Sequence, residues 1–179
     1  HPRDRRQRQM CIRDSLRPTP DRAKETVFNW LGNDLTGFSC LDLFAGTGAM
    51  GIEALSRGAI GIDFVEIEKN FAKDLKKTLE SLEGEIDAEI YNEDFYKWFN
   101  QNSSGKIYDL IFIDPPFNKN LIEDVFKCLK QKKIYSPNTI FYLESEATIN
   151  LNFLEEEFEI FKEKNMKNKC YRLMKVKTT

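Results

Sequence analysis

The chain has 179 residues, 41% of them hydrophobic, and 27 Lys and Arg against 29 Asp and Glu give a net charge of −2. That length and apolar content suit one domain with an adequate core, expected over residues 16–179. The only histidine is His1, which excludes a histidine triad or histidine metal site. The four cysteines (Cys11, Cys40, Cys128, Cys170) lack C-x-x-C spacing, which argues against disulfides and zinc and for reduced thiols in a cytoplasmic protein. No apolar run approaches the roughly 20 residues of a membrane span, and no signal-peptide core is present, so no membrane role is expected.

In chain order, a helical pattern runs from about Asp21 to Leu31, capped by Thr19 or Asp21 with Pro20 near its first position. Strands are expected at 40–45, 61–66, 88–92, 107–113 and 139–144, then near 157–163 and 170–177. Helices are expected at 49–57, ended by Gly58, at 69–83, ended by Gly84, and at 121–132. Alternation of strand and helix means an α/β fold. The expectation is a doubly wound, mostly parallel, Rossmann-like sheet of seven strands closed by a C-terminal antiparallel hairpin. Lys127, Lys130, Lys132 and Lys133 read as a solvated helix face. Lys162, Lys164, Lys167 and Lys169 read as a mostly solvated loop, with 164–169 linking the hairpin.

Two motifs carry chemistry. The strand Cys40-Leu41-Asp42-Leu43-Phe44-Ala45 runs into Gly46-Thr47-Gly48-Ala49-Met50-Gly51, a G-x-G-x-x-G turn opening a helix, with Glu66 20 residues beyond Gly46. Such a loop lets backbone approach a nucleotide cofactor while the later acid takes ribose hydroxyls. It is a weak signal alone, since glycine turns often serve only tight strand–helix packing. Asp42 separates the possible ligands: its carboxylate would repel a pyrophosphate but hold a cationic amino-acid end. Glu66, with Glu68 two residues on, follows the second strand, and Asp94-Phe95 follow the third. Acids after successive strands suit S-adenosylmethionine, whose ammonium, ribose and adenine each need an acceptor. Phe44, Gly46, Thr47 and Gly48 complete the candidate cofactor site. Each acid taken singly is more simply a solvated loop carboxylate.

The second motif is Asp114-Pro115-Pro116-Phe117, directly after the apolar strand Leu110-Ile111-Phe112-Ile113. Two prolines stop the strand and stiffen the turn, leaving a carboxylate, bare carbonyls and a flat ring at its end. This suits a planar molecule bearing an amino group, such as a nucleobase. The competing reading is an ordinary strand-ending turn.

Together these segments resemble class I methyltransferases, and more narrowly the bacterial 16S ribosomal RNA guanine-N2 methyltransferases of the RsmD type. The likeness rests on R-P-T-P-D-R-A-K-E-T-V-F-N (17–29), LDLFAGTGAMGIEALSRGA (41–59), FVE (64–66), DPPF (114–117), YLESE (142–146) and YRL (171–173). It implies transfer of methyl from S-adenosylmethionine to a guanine N2 in 16S rRNA, within a small-subunit ribonucleoprotein, by a monomer without metal. It also places Thr19 and Arg22 at the lip of the site, where a helix cap with solvent-facing arginine is equally expected. Members of the family begin with a glycine- and arginine-rich hairpin that residues 1–15 do not match. Met10 to Ser15 instead reads as a translated sequencing adaptor, so residues 1–15 are expected to be a non-native or disordered tail. Three alternatives remain open: a methyltransferase for DNA adenine or a protein glutamine amide, a nicotinamide-dependent oxidoreductase on the same loop, and a catalytically impaired fragment that binds cofactor.

Overall fold

In a computed structural model, residues 19–102, 105–117 and 120–178 are described. The seven-stranded sheet has the order β3-β2-β1-β4-β5-β7-β6. Its strands are β1 (Ser39–Asp42), β2 (Gly61–Val65), β3 (Ala88–Tyr91), β4 (Tyr108–Ile113), β5 (Tyr135–Glu146), β6 (Phe158–Met166) and β7 (Lys169–Val176). The first five pair in parallel, and β7 pairs antiparallel with both β5 and β6. The order turns back between β1 and β4, so a crevice opens at their carboxyl ends. The expected doubly wound sheet and closing hairpin are both present.

Helices α1 (Thr19–Leu31), α2 (Ala49–Ser56), α3 (Lys69–Glu80), α4 (Phe95–Gln101) and α5 (Leu121–Lys132) complete the architecture, with a 3₁₀ turn at Asn152–Leu154. The chain divides into residues 1–33, which contain α1, and residues 34–179, which contain the sheet. Helix α1 starts at Thr19, two residues earlier than expected, so Thr19 and Asp21 lie within it and neither is its cap; the suspected tail lies outside the described residues. On α1, Ala23, Val27 and Phe28 recur at helical spacing on one face.

Side chains alternate across each strand, so one register fixes two faces. Leu41, Ile111, Phe141 and Met174 align across β1, β4, β5 and β7. With Ile113 and Leu143 they form an apolar face that packs with Trp98 and Phe99 of α4, Val125, Phe126 and Leu129 of α5, and Phe158. Opposite them lie Phe64, Asp42, Phe112, Tyr142 and Leu173. Two positions beyond Phe112 and Tyr142, on this second face, come Asp114 and Glu144. Helix α2 approaches the second face closely: a Cβ at Gly51 would stand 2.3 Å from both Ile62 and Phe64, which requires glycine.

Four expectations are corrected. Helix α4 was not anticipated; Phe95, Trp98 and Phe99 fall at i, i+3 and i+4 and are buried, but seven residues are too few for periodicity to declare itself. Helix α3 ends at Glu80 rather than 83, before a polar turn with Gly84 at φ 99. Strand β5 spans 135–146 rather than 139–144. Its pairing with β4 jumps from Tyr108↔Tyr135 to Leu110↔Ile140, which places exposed Pro137 in a bulge where no ladder donor is needed. Thr139 seals that bulge by donating to the Tyr108 carbonyl at 2.6 Å and accepting from the Ser136 N–H at 2.9 Å. Finally, the expected loop 164–169 is largely strand: β6 runs to Met166 and β7 starts at Lys169, with Lys167 left-handed at φ 59 in the tight turn.

Candidate active site

Strand ends converge on a cleft of about 790 Å³. The turn after β1 contributes Phe44 and Gly46, the end of β2 Glu66 and Glu68, and the end of β3 Asp94 and Phe95. All of Asp114, Pro115, Pro116 and Phe117 border the same cleft, beyond β4. Three other anticipated residues do not border it. Asp42 is buried inside β1, Thr47 is exposed, and Gly48 sits at the start of α2 with φ 78, where a Cβ would meet Leu75 at 2.3 Å. Arg22 is exposed on α1, and Thr19 is described only as its first helical residue.

Glu66 is fixed before any ligand arrives. Its two carboxylate oxygens accept the Gly46 N–H at 2.5 Å and the Glu68 N–H at 2.8 Å, and the residue is only 7% exposed. A carboxylate has about four lone-pair sites, so each oxygen keeps capacity for a hydroxyl. Asn92 braces the same turn by donating to the Glu66 carbonyl at 2.8 Å. Asp94 is partly committed: as N-cap of α4, one oxygen accepts the Lys97 N–H at 2.9 Å.

Asp42 is nearly inaccessible, and its recorded partner among the described residues is the Phe44 N–H at a long 3.4 Å. Burial, with Glu66 nearby adding repulsion, pushes its carboxyl up to about 7. A buried acid so weakly satisfied favours a cationic neighbour.

The end of β4 holds a feature that sequence reasoning missed. Asp114, one residue past the end of β4, and Glu144 of β5 follow directly on the Ile113↔Leu143 pair, which brings two carboxyls together at the strand ends. Burial first, and then the Glu144 charge, push Asp114 up to about 8. Glu144 also accepts from Lys169 Nζ at 2.7 Å and from the Tyr142 hydroxyl at 3.1 Å. Lys169 in turn lies 5.2 Å from the centre of the Phe117 ring and borders the cleft. It is therefore a member of the site and not, as expected, a solvated loop residue. Glu144 was findable by the signal that marked the other acids, an acidic residue ending an apolar strand. Lys169 was not, because only the antiparallel return of β7 brings it there.

Among the described residues no cluster of three potential metal ligands occurs, and no helix is long and apolar enough to cross a membrane. Comparison with known proteins gives consistent matches. Residues 4–175 match the family described as Conserved hypothetical protein 95. Ribosomal RNA small subunit methyltransferase D of Haemophilus influenzae is 39% identical over 161 residues, covering 89% of this chain and 83% of that protein. Its Escherichia coli counterpart is 35% identical over 170 residues, covering 94% and 84%. Among solved structures, the Escherichia coli protein yhhF, provisionally described as a methyltransferase, superposes with a TM-score of 0.81 at 33% identity, over 93% of this chain and 90% of that one.

Proposed function

We propose, on the premise that this chain belongs to the ribosomal RNA small subunit methyltransferase D family, that it moves a methyl group from S-adenosylmethionine to the N2 amino group of a guanine in 16S ribosomal RNA. The observation that carries this reading is that the Glu66–Gly46 loop and the Asp114–Phe117 turn border one cleft.

The residues present suit the cofactor. The preorganised Glu66 carboxylate suits ribose hydroxyls, and Phe44, Ile67, Phe71 and Phe95 offer apolar walls for adenine; Asp42, buried one residue before the cleft-lining Leu43, is the weakly satisfied acid that an ammonium would relieve. Glu66, Glu68, Glu93, Asp94 and Asp114 border the cleft against one lysine, a balance that disfavours the pyrophosphate of a dinucleotide. When bound, S-adenosylmethionine supplies an electrophilic methyl on a sulfonium, whose carbon–sulfur bond breaks as the carbon–nitrogen bond forms.

The protein's part is to prepare the nitrogen. Its lone pair is delocalised into the purine, and acceptance of the amino protons by Asp114 and the Pro115 carbonyl favours a pyramidal nitrogen aimed at the methyl. The same acceptors stabilise the positive charge that develops on nitrogen. The proton released passes to Asp114, whose raised proton affinity fits that task. Phe117 stacks on the base, worth about 1–3 kcal/mol, which offsets part of the few kcal/mol needed to extrude it. With a net charge of −2, electrostatic capture of naked RNA is weak, so the assembled small subunit is the favoured substrate.

Incubation with labelled cofactor and undermethylated small subunits, followed by digestion to nucleosides, should yield N2-methylguanosine. Naked rRNA, DNA and protein fractions run in parallel would expose a different acceptor. Asp114→Ala should abolish turnover while leaving the cofactor dissociation constant nearly unchanged. A variant with near-normal kcat would sink the assignment.

A further inference from the structure

The inference here rests on the guanine reading above and concerns how the base is identified. Asp114, Glu144 and Lys169 form a row. The first two carboxyls follow the paired Ile113 and Leu143 on neighbouring strands, and the Lys169 ammonium stands 2.7 Å from one oxygen of Glu144. In order along the row, the groups able to meet a ligand are acceptor, acceptor, donor. Guanine presents the complement along its Watson–Crick edge: N2–H donor, N1–H donor, O6 acceptor. Adenine places an acceptor at N1 beside its amino group, which would confront the central carboxylate.

We propose that Glu144 and Lys169 are specificity determinants: with N2 on Asp114, Glu144 accepts the N1–H and Lys169 donates to O6.

Placement supports this. Asp114 and Lys169 border the main cleft, while Glu144 borders an adjoining hollow walled by Pro115, Pro116 and Phe117, so a ring on Phe117 lies within reach of both. Lys169 already lies over that ring. A purely structural ion pair would not need its lysine in the cleft wall with 44% of the side chain exposed. The Tyr142 hydroxyl holds the second Glu144 oxygen at 3.1 Å, which fixes the central acceptor.

The edge can be edited without removing the reacting nitrogen. 2-Aminopurine keeps the 2-amino group but has an acceptor at N1 and nothing at position 6. The target nucleotide is first mapped with the wild-type protein, and small subunits are then reconstituted with 2-aminopurine ligated at that position. If mapping returns a nucleoside other than N2-methylguanosine, the guanine reading itself fails, before any variant is examined. With guanine mapped, wild type should methylate the guanine substrate at least about 100-fold faster than the 2-aminopurine one, since a site built to hydrogen-bond rejects an analogue lacking the partner. Lys169→Met and Glu144→Gln should shrink that ratio to about tenfold or less, the latter because an amide can donate to N1. Lys169→Arg, which keeps a cationic donor, should preserve it. Cofactor dissociation constants within about twofold of wild type verify that each variant is folded. Equal wild-type rates on the two substrates would overturn the proposal, as would a ratio that survives in both Lys169→Met and Glu144→Gln.

Discussion

The two faces of the same three strands behave as opposites. Toward α4 and α5, alternate residues of β1, β4 and β5 are Leu41, Ile111, Ile113, Phe141 and Leu143, all with at most 1% exposure. One residue away on the other face, the same strands carry Asp42, Asp114 and Glu144. The first face gains stability from every group it buries. The second pushes Asp42 and Asp114 up to about 7 and 8, and so holds unfavourable charge in readiness for a ligand. A period of two lets one strand serve both purposes without compromise.

Perturbing each face should separate stability from activity. Asp114→Ala is expected to lower kcat by about 10³-fold or more in single-turnover methylation, with the urea midpoint little changed. Phe126→Ala, on the apolar face, should do the reverse. Loss of a ring packed on Phe141 and Phe158 costs about 3–5 kcal/mol in urea unfolding, while kcat per folded molecule is retained. If the two variants gave the same profile, the division between faces would fail.

Asp42→Asn sharpens the contrast, because the buried acid is a cost to the free protein. Its folded pKa lies above the ordinary carboxylate value, so folding favours the protonated form, and stability declines as pH rises from about 4 through about 7. The asparagine variant should therefore be more stable than wild type at pH 8.5, by up to a few kcal/mol, with no advantage at pH 4. Calorimetry should also find its cofactor affinity reduced. An unchanged affinity would remove Asp42 from the ammonium site.

A smaller effect is expected in the pH profile. Asp114 accepts amino protons only when ionised, so kcat/KM should climb through a midpoint near pH 8 toward a plateau at higher pH. Burial raises that midpoint most, and of the groups facing Asp114, Glu144 and Asp42 raise it further while Lys169 lowers it. Lys169→Met should accordingly move the acid limb to higher pH. Smallest of all, Trp98→Phe should cost less than about 1.5 kcal/mol in thermal melts, since the buried indole N–H has no hydrogen-bond partner among the described residues to lose.

Much of this was legible in the sequence because each element declared itself locally. The glycine turn, the acid at position 66 and the Asp114–Phe117 turn are read from contiguous residues, and strand alternation with helices places them at one edge. Helix α4 escaped because its aromatic heptapeptide fits strand and helix equally, and Asp94, expected only as a strand-end acid for the cofactor, also caps that helix. Glu144 ends the expected strand 139–144 and carries the same local signal as the other acids, though the site expectation did not include it. Lys169 was hidden by connectivity, since its nearest functional neighbours, Glu144 and Phe117, lie 25 and 52 positions earlier. Pairing across a sheet cannot be read from a window.

The reversed direction of β7 has a mechanical corollary. Parallel strands reach the ligand edge with their tails, whereas the hairpin of β6 and β7 reaches it with its bend, at Lys167 and Asn168. That bend is an arm of adjustable length. Two residues added to each limb would lengthen it by roughly 6–7 Å without altering any rung already formed. Lineages could in this way retune how far the molecule reaches toward a bulky substrate while the chemistry stays put.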